Sequence, residues 1–187
     1  EVNQYCFFVA GVVGEALAKL LNLVEPQFQL VKIRVKEAHQ FGLFLQKVNI
    51  LKDQLGDEQE GRFLVPSRKI LLASLEQDLH GAFSFLRSIP VNQKSFRLFC
   101  AWSLFLGLMT LNKSEEGFAD GESTKVDRAE AEKMMRFVEE NISNNEVLED
   151  FISTLGFNIE SKQLMEAPDS RSESIEHLYE GDLSPEE

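Results

Sequence analysis

The sequence has few of the residues that stabilise secreted domains or bind nucleic acid. Its two cysteines, Cys6 and Cys100, lie far apart and form no CxxC pattern, which excludes a disulfide framework or a zinc ribbon and indicates a reducing compartment. The net charge is −12, and no run of lysines or arginines is present, so we expect no binding to nucleic acid. The longest uncharged stretch, residues 98–112, is shorter than the roughly 20 residues that a membrane span needs. We therefore expect a buried core helix there and no stable membrane anchor.

Strand signals are scarce as well, since alternating patterns are rare and no Asn-Gly hairpin dipeptide occurs. The chain of 187 residues is 43% hydrophobic and contains 15 phenylalanines, enough apolar material for one globular core. Helical spacing of apolar residues predicts an all-α fold. Pro26, Pro66 and Pro90 mark breaks between helices, and Ser67 is a predicted N-cap. The first predicted helix ends near Glu25. The other predicted helices span about 28–58, 67–86, 92–111, 125–141 and 146–155, and a loop is predicted at 112–124.

The C-terminal segment differs in composition from the rest of the chain. Residues 156–187 contain nine acidic residues and only two basic ones, Lys162 and Arg171. The helical spacing of apolar residues is also lost there. We therefore divide the chain into a helical domain, residues 1–158, and an acidic, flexible tail, residues 159–187. An alternative is a short helix at 174–179 that packs on the domain.

One polar stripe stands out on the second predicted helix. Gln46, Asn49, Asp53 and Asp57 fall within a narrow arc at helical spacing, and Gly42 leaves room beside them. Two carboxylates backed by two amides form an oxygen-rich surface that suits Mg²⁺, which keeps water ligands and accepts phosphate oxygens from a substrate. The stripe is either an exposed polar helix face or one wall of a buried cavity. The apolar residues on the other sides of this helix favour the buried cavity.

A second stretch, residues 5–14, contains two glycines one turn apart. Gly11 and Gly14 destabilise a helix unless another group approaches the backbone closely, so they indicate either tight helix packing or a site. Tyr5 is either a core hydroxyl with a hydrogen-bond partner or a group that exchanges a proton with a reacting molecule.

Three motifs, in this order and spacing, resemble the squalene/phytoene synthase family. They are YCxxVAGxVG at 5–14, GLFLQKxNIxxDxxxD at 42–57, and Gly-Arg followed by a proline at 61–66. The Leu43–Lys47 segment and Phe99-Cys-Ala are similar to the squalene-forming branch. The resemblance implies an all-α isoprenoid-synthase fold, in which two aspartate-rich helices face each other across a central cavity.

The resemblance also implies a reaction. Two farnesyl diphosphates condense head to head through a cyclopropyl diphosphate, and reduction by NADPH gives squalene. It assigns Asp53, Asp57 and Asn49 to a Mg²⁺ or Mn²⁺ site and gives Tyr5 a catalytic role. A water-free apolar pocket would protect the carbocations.

Five further positions are assigned to substrate binding by the stripe and by the resemblance. Gln46 and Gly42 belong to the cavity wall, Arg62 to the diphosphate site, and Phe99 to the hydrocarbon pocket. Lys52 stands where the family usually has arginine, which keeps the charge but loses bidentate contact with phosphate.

The first aspartate-rich motif of the family lies upstream of the Tyr-Cys pair and is not part of this sequence. We therefore expect a C-terminal portion of the enzyme that is inactive alone, monomeric, and cytoplasmic with at most peripheral membrane contact. Two alternatives stay open: phytoene-type or dehydrosqualene synthesis without NADPH, and a non-catalytic relative that acts as an assembly or scaffold protein.

Overall fold

The computed structural model describes residues 2–63, 65, 67–120, 125–157 and 159, and within these ranges the regular structure is helical throughout, with no strand. The all-α class is confirmed. The helices are α1 (Val2–Cys6), α2 (Val12–Val24), α3 (Lys32–Gln59), α4 (Arg68–Ser88), α5 (Lys94–Asp120), α6 (Arg128–Asn141) and α7 (Asn145–Thr154).

The first helical segment is continuous but irregular. A π-helical turn, Phe7–Gly11, joins α1 to α2, and a short 3-10 turn, Pro26–Phe28, follows α2. Gln29 has a positive φ of 49°, a conformation that stops a helix. As a result α3 begins at Lys32, later than the predicted start near Phe28.

The long helix α3 occupies the centre of the bundle. It packs against α4, α2, the π-helical turn and α5, while α5 also contacts α4 and α6, and α6 contacts α7. The core contains the buried faces of these helices, for example Phe44 and Leu51 of α3, Phe85 of α4 and Phe105 of α5. The elements that carry the first two motifs therefore pack against each other within one core.

The predicted helix ends at Glu25 and Ser67 are confirmed. The Glu25–Pro26 junction closes α2, and the Ser67 hydroxyl accepts a hydrogen bond from the Ile70 amide at the start of α4. Two other helices carry side-chain caps that fix their starts. Asp127 and Glu130 form a capping box at α6, which makes the helix begin at Arg128, and Asn144 caps α7.

The predicted loop at 112–124 is wrong for residues 112–120, which continue α5 to Asp120. Long-range contacts stabilise this extension. The Asn112 amide donates a hydrogen bond to the Leu155 carbonyl (2.8 Å), and Arg68 pairs with Glu115 and lies 4.0 Å from the centre of the Phe118 ring. Tertiary contacts of this kind override a weak local preference.

Ile159, the first residue of the predicted tail, is buried in the core. The remainder of the predicted tail, residues 160–187, lies outside the described residues, as does the alternative helix at 174–179.

Two described helices are long and apolar enough to cross a membrane, which the count of uncharged residues did not predict. They are Val2–Val24 and Lys94–Ala119. The second has half of its apolar window buried, in keeping with a core helix. The first is largely exposed.

Candidate active site

The α2–α3 crossing depends on two glycines that let the helix backbones touch. A Cβ on Gly14 would lie 1.8 Å from the Ala38 carbonyl oxygen, and one on Gly42 would lie 2.1 Å from the Ala10 carbonyl oxygen. Both distances are far inside van der Waals contact. Of the two interpretations of Gly14, tight packing is therefore confirmed, and Gly42 makes room for the backbone of the opposite helix.

An apolar groove of about 250 Å³ lies beside this crossing. It is bounded by the π-helical turn and α2 on one side, α3 on the second and α5 on the third, and it is open to solvent. Phe99, predicted as a substrate contact, lines it. The full lining is Ala10, Val13, Gly14, Leu17, Phe41, Gly42, Leu45, Gln46, Asn49, Phe99 and Ser103.

The π-helical turn at the groove was not predicted from the sequence. It ends at Gly11, where a Cβ would approach the Leu43 Cδ1 atom to 2.9 Å and the Phe7 ring to 3.0 Å. Turns of this kind are rare and often mark functional sites. In the sequence only the spacing of Gly11 and Gly14 marks this segment, and in the structure the turn packs against α3.

Gln46 and Asn49 form the polar wall of the groove, as the stripe predicted, and Asp53 and Asp57 continue the same face of α3 toward its C-terminal end. The predicted burial of the stripe is wrong for Asn49, which is exposed, and for Asp53, whose side chain is 58% exposed. The Asp57 side chain is only 17% exposed, beside Arg62. The two carboxylates therefore differ in exposure, and both lie beyond the residues that line the groove.

Both aspartates have a cationic neighbour. The Lys52 Nζ atom lies 3.3 Å from Asp53 Oδ1, and the Arg62 Nη2 atom lies 2.8 Å from Asp57 Oδ1. The Arg62 amide also donates a hydrogen bond to the Asp57 carbonyl (2.7 Å), which holds the end of α3 against the following segment. The structure therefore brings the predicted metal ligands and the predicted diphosphate contacts into one charged surface.

Tyr5 does not line the groove. Its side chain is 52% exposed on α1, so the interpretation as a buried core hydroxyl is wrong. The neighbouring Cys6 is fully buried instead, and burial raises the pKa of its thiol to about 11. The Cys6 thiol is consequently neutral at physiological pH and unsuited to nucleophilic chemistry.

A buried ion pair on the opposite side of α3 was also missed. Lys47, within the second motif, pairs with Asp78 of α4 and donates a hydrogen bond to the Ser74 hydroxyl (3.0 Å). Desolvation of this site raises the pKa of Asp78, despite the opposing field of Lys47. Lysine is usually an exposed residue, so its type predicted exposure at position 47. Only the position of Lys47 on the apolar side of α3 indicated that it is buried.

A second buried cation, Arg97, joins the ends of three helices. Its guanidinium donates hydrogen bonds to the carbonyls of Leu86, Ile89 and Ile142, at 2.7–2.8 Å, and contacts Asn145. Helix carboxyl ends attract cations. Arg97 is therefore a structural clamp that lies away from the groove.

The described residues contain no cluster of three or more His, Cys, Asp or Glu side chains that could hold a metal ion. The donors on α3 are instead two carboxylates with the amide oxygens of Asn49 and Gln46. These are hard oxygen ligands, and they fit part of a Mg²⁺ shell, which is normally completed by waters and substrate phosphates.

Comparison with known proteins agrees with the motifs. Residues 1–82 match the squalene/phytoene synthase family model. The squalene synthase of Homo sapiens is 44% identical over 66 residues, which are 35% of this chain and 16% of that protein. The squalene synthase of Mus musculus is 44% identical over 64 residues, 34% of this chain and 15% of that protein. A squalene synthase of Candida albicans is 41% identical over 83 residues, 43% of this chain and 18% of that protein.

The similarity to the squalene/phytoene synthase family therefore lies in residues 1–82 of the chain. The match covers the helix crossing, the polar stripe and Arg62, and it stops before Phe99. The matched segment spans about a sixth of the length of these curated relatives.

Proposed function

We propose that this protein is a prenyltransferase that condenses two farnesyl diphosphates head to head and forms squalene by way of a cyclopropyl diphosphate. The observation that carries the proposal is the apolar groove whose polar wall, Gln46 and Asn49, continues directly into Asp53 and Asp57. An isoprenoid diphosphate has the same two-part character, an apolar chain joined to a strongly anionic head.

The groove suits the hydrocarbon part of such a substrate. Leu17, Phe41, Leu45 and Phe99 present apolar surface along it, which an apolar hydrocarbon chain would cover with release of water. The close backbone contacts at Gly14 and Gly42 hold the groove in shape, because any larger residue would separate α2 from α3. The groove therefore binds and orients the hydrocarbon chain of the substrate.

The charged surface at the end of α3 suits the diphosphate. Asp53, Asp57 and Asn49 would hold a divalent cation, which supplies charge neutralisation and makes diphosphate a better leaving group. Lys52 and Arg62 attract the remaining diphosphate oxygens, and Arg62 already stands beside Asp57 at 2.8 Å. Tyr5 is proposed as an acid–base group. NADPH enters only as the family's reductant, with no residue assigned to it.

Product analysis tests this function. The protein, expressed as its gene encodes it, is incubated with labelled farnesyl diphosphate and Mg²⁺, with and without NADPH, and the hydrocarbons are identified by gas chromatography and mass spectrometry. We expect squalene as the product, formed only when NADPH is present. A dehydrosqualene or phytoene-type hydrocarbon formed without NADPH would identify the alternative reaction.

A non-catalytic assembly role is the second candidate. The exposure of Asp53 favours it, because a solvated carboxylate costs little to retain in the absence of a metal. The long apolar face of the π-helical turn and α2, which includes Phe8, Val9 and Val12, offers surface for another protein. Failure to release diphosphate from any prenyl diphosphate would favour this role.

A further inference from the structure

The two turns at one end of the bundle form a single surface. Glu25, after α2, accepts hydrogen bonds from the side chains of Asn92 (2.9 Å) and Gln93 (3.0 Å), which lie between α4 and α5. These contacts fix the α2–α3 turn beside the α4–α5 turn. We name the surface the turn patch, and it comprises Leu23, Val24, Val31, Ile33 and Val91 with Lys32, Lys36 and Lys94.

The apolar members of the turn patch are unusually exposed. Leu23 is 78% exposed and Val24 is 62% exposed, and Val31, Ile33 and Val91 lie between 48% and 55%. Val31 and Val91 lie in the two turns, and Leu23, Val24 and Ile33 lie on the helix ends beside them. Five large aliphatic side chains exposed so close together indicate a surface that another apolar phase covers.

The charge of the turn patch is opposite to that of the whole chain. Between residues 16 and 36 the only carboxylate is Glu25, which is buried, and residues 88–112 contain none. Lys32, Lys36 and Lys94 are all exposed. Neither Lys32 nor Lys36 forms an ion pair with another residue in the described part of the chain.

The lysines are also placed where the helix itself disfavours them. Lys32 opens α3 and Lys36 lies one turn later, so two like charges are neighbours on the helix surface. The first turn of α3 has no acidic residue and its N-cap, Val31, provides no side-chain hydrogen bond. Basic residues at an uncapped, positive helix end lower stability, and an external anionic surface would remove that cost.

We propose that the turn patch docks the protein on the surface of an anionic phospholipid bilayer. The aliphatic side chains enter the boundary between headgroups and acyl chains, and the lysines contact anionic headgroups. The local positive charge outweighs the net charge of −12 because screening confines electrostatic attraction to about 10 Å. This inference does not depend on the proposed reaction.

Vesicle co-sedimentation of the whole chain tests the proposal. We expect binding to vesicles of phosphatidylcholine mixed with phosphatidylserine, weaker binding to phosphatidylcholine alone, and a decrease with added salt. The double variant Lys32→Gln, Lys36→Gln should lower the partition coefficient roughly 25-fold, at about fivefold for each lysine. Leu23→Ser with Ile33→Ser should lower binding to both kinds of vesicle.

A matched control lies at the opposite end of the bundle. Lys69 and Ile70, at the start of α4, are both exposed, and Lys69→Gln with Ile70→Ser should leave binding unchanged. The proposal is overturned if anionic vesicles bind no better than neutral ones, or if this control loses as much binding. A dimer that forms without vesicles and dissociates on Leu23→Ser would instead identify a second copy as the occupant and would also overturn it.

Discussion

Gly42 and Ala10 touch through their backbones, since a Cβ on Gly42 would stand 2.1 Å from the Ala10 carbonyl oxygen. We predict that Gly42→Ala destabilises the fold by at least about 2 kcal/mol, because α3 must move away from the π-helical turn or the substitution must strain both elements. Urea unfolding measures the change.

Gly56 provides the control in the same helix. A Cβ there would meet no atom within 4 Å, so Gly56→Ala should stabilise the protein by up to about 1 kcal/mol, the helix propensity of alanine over glycine. Equal effects at Gly42 and Gly56 would contradict the close crossing.

The buried Lys47–Asp78 pair gives a second prediction. Lys47→Met leaves the Asp78 carboxylate buried without its cation and should cost about 3–5 kcal/mol in the free energy of unfolding. The double variant Lys47→Met, Asp78→Leu should recover most of that loss, because no isolated charge remains. A cost below about 1 kcal/mol for the single variant would show that the pair is not buried.

Glu15 links α2 to α3 and should make part of the stability depend on pH. Partial burial acts to raise the pKa of Glu15, but hydrogen bonds from Lys19 (2.7 Å) and His39 (2.8 Å) outweigh it and lower that pKa below its ordinary 4.5. Because the folded pKa is depressed, this contribution is present above pH 4.5 and is lost as the pH falls through the folded value.

We therefore expect Glu15→Gln to lower the free energy of unfolding by about 1 kcal/mol at neutral pH and to have less effect below the pKa of the folded protein. Thermal unfolding measured between neutral and acid pH checks this. A variant that loses the same stability at every pH would exclude ionisation of Glu15 as the cause.

The Tyr5→Phe variant tests the contribution of the hydroxyl group alone, because it keeps the aromatic ring. If Tyr5 acts as an acid–base group, the variant should bind substrate normally but lose roughly 10²–10⁴ in turnover. Since the side chain is half exposed, its stability should change little. Turnover equal to that of the parent protein would remove Tyr5 from the proposed mechanism.

The helices were largely predictable because local signals mark their ends. Pro26 and Ser67 terminate or cap helices by backbone geometry alone. The extension of α5 past Asn112 was not predictable, because it depends on contacts with Leu155 and with Arg68, which are distant in sequence.

The candidate site, like the helices, was predictable only in part. The spacing of Gln46, Asn49, Asp53 and Asp57 placed them correctly on one face, since a helix converts sequence separation directly into angle. The exposure of Asn49 and Asp53 was mispredicted, because exposure depends on which other elements cover α3. Apolar neighbours in the sequence carry no such information.

The most direct test of the proposed active site is Mg²⁺-dependent release of diphosphate from farnesyl diphosphate by the Asp53→Asn and Asp57→Asn variants. Each substitution removes one anionic oxygen without changing the side-chain volume. Asp150→Asn, at an exposed position on α7, serves as the control. We predict that both α3 variants lose at least about 100-fold in rate, with unfolding temperatures close to that of the parent, and that the control keeps full activity. Rates near that of the parent in both α3 variants would contradict the assignment of Asp53 and Asp57 to the metal and diphosphate site.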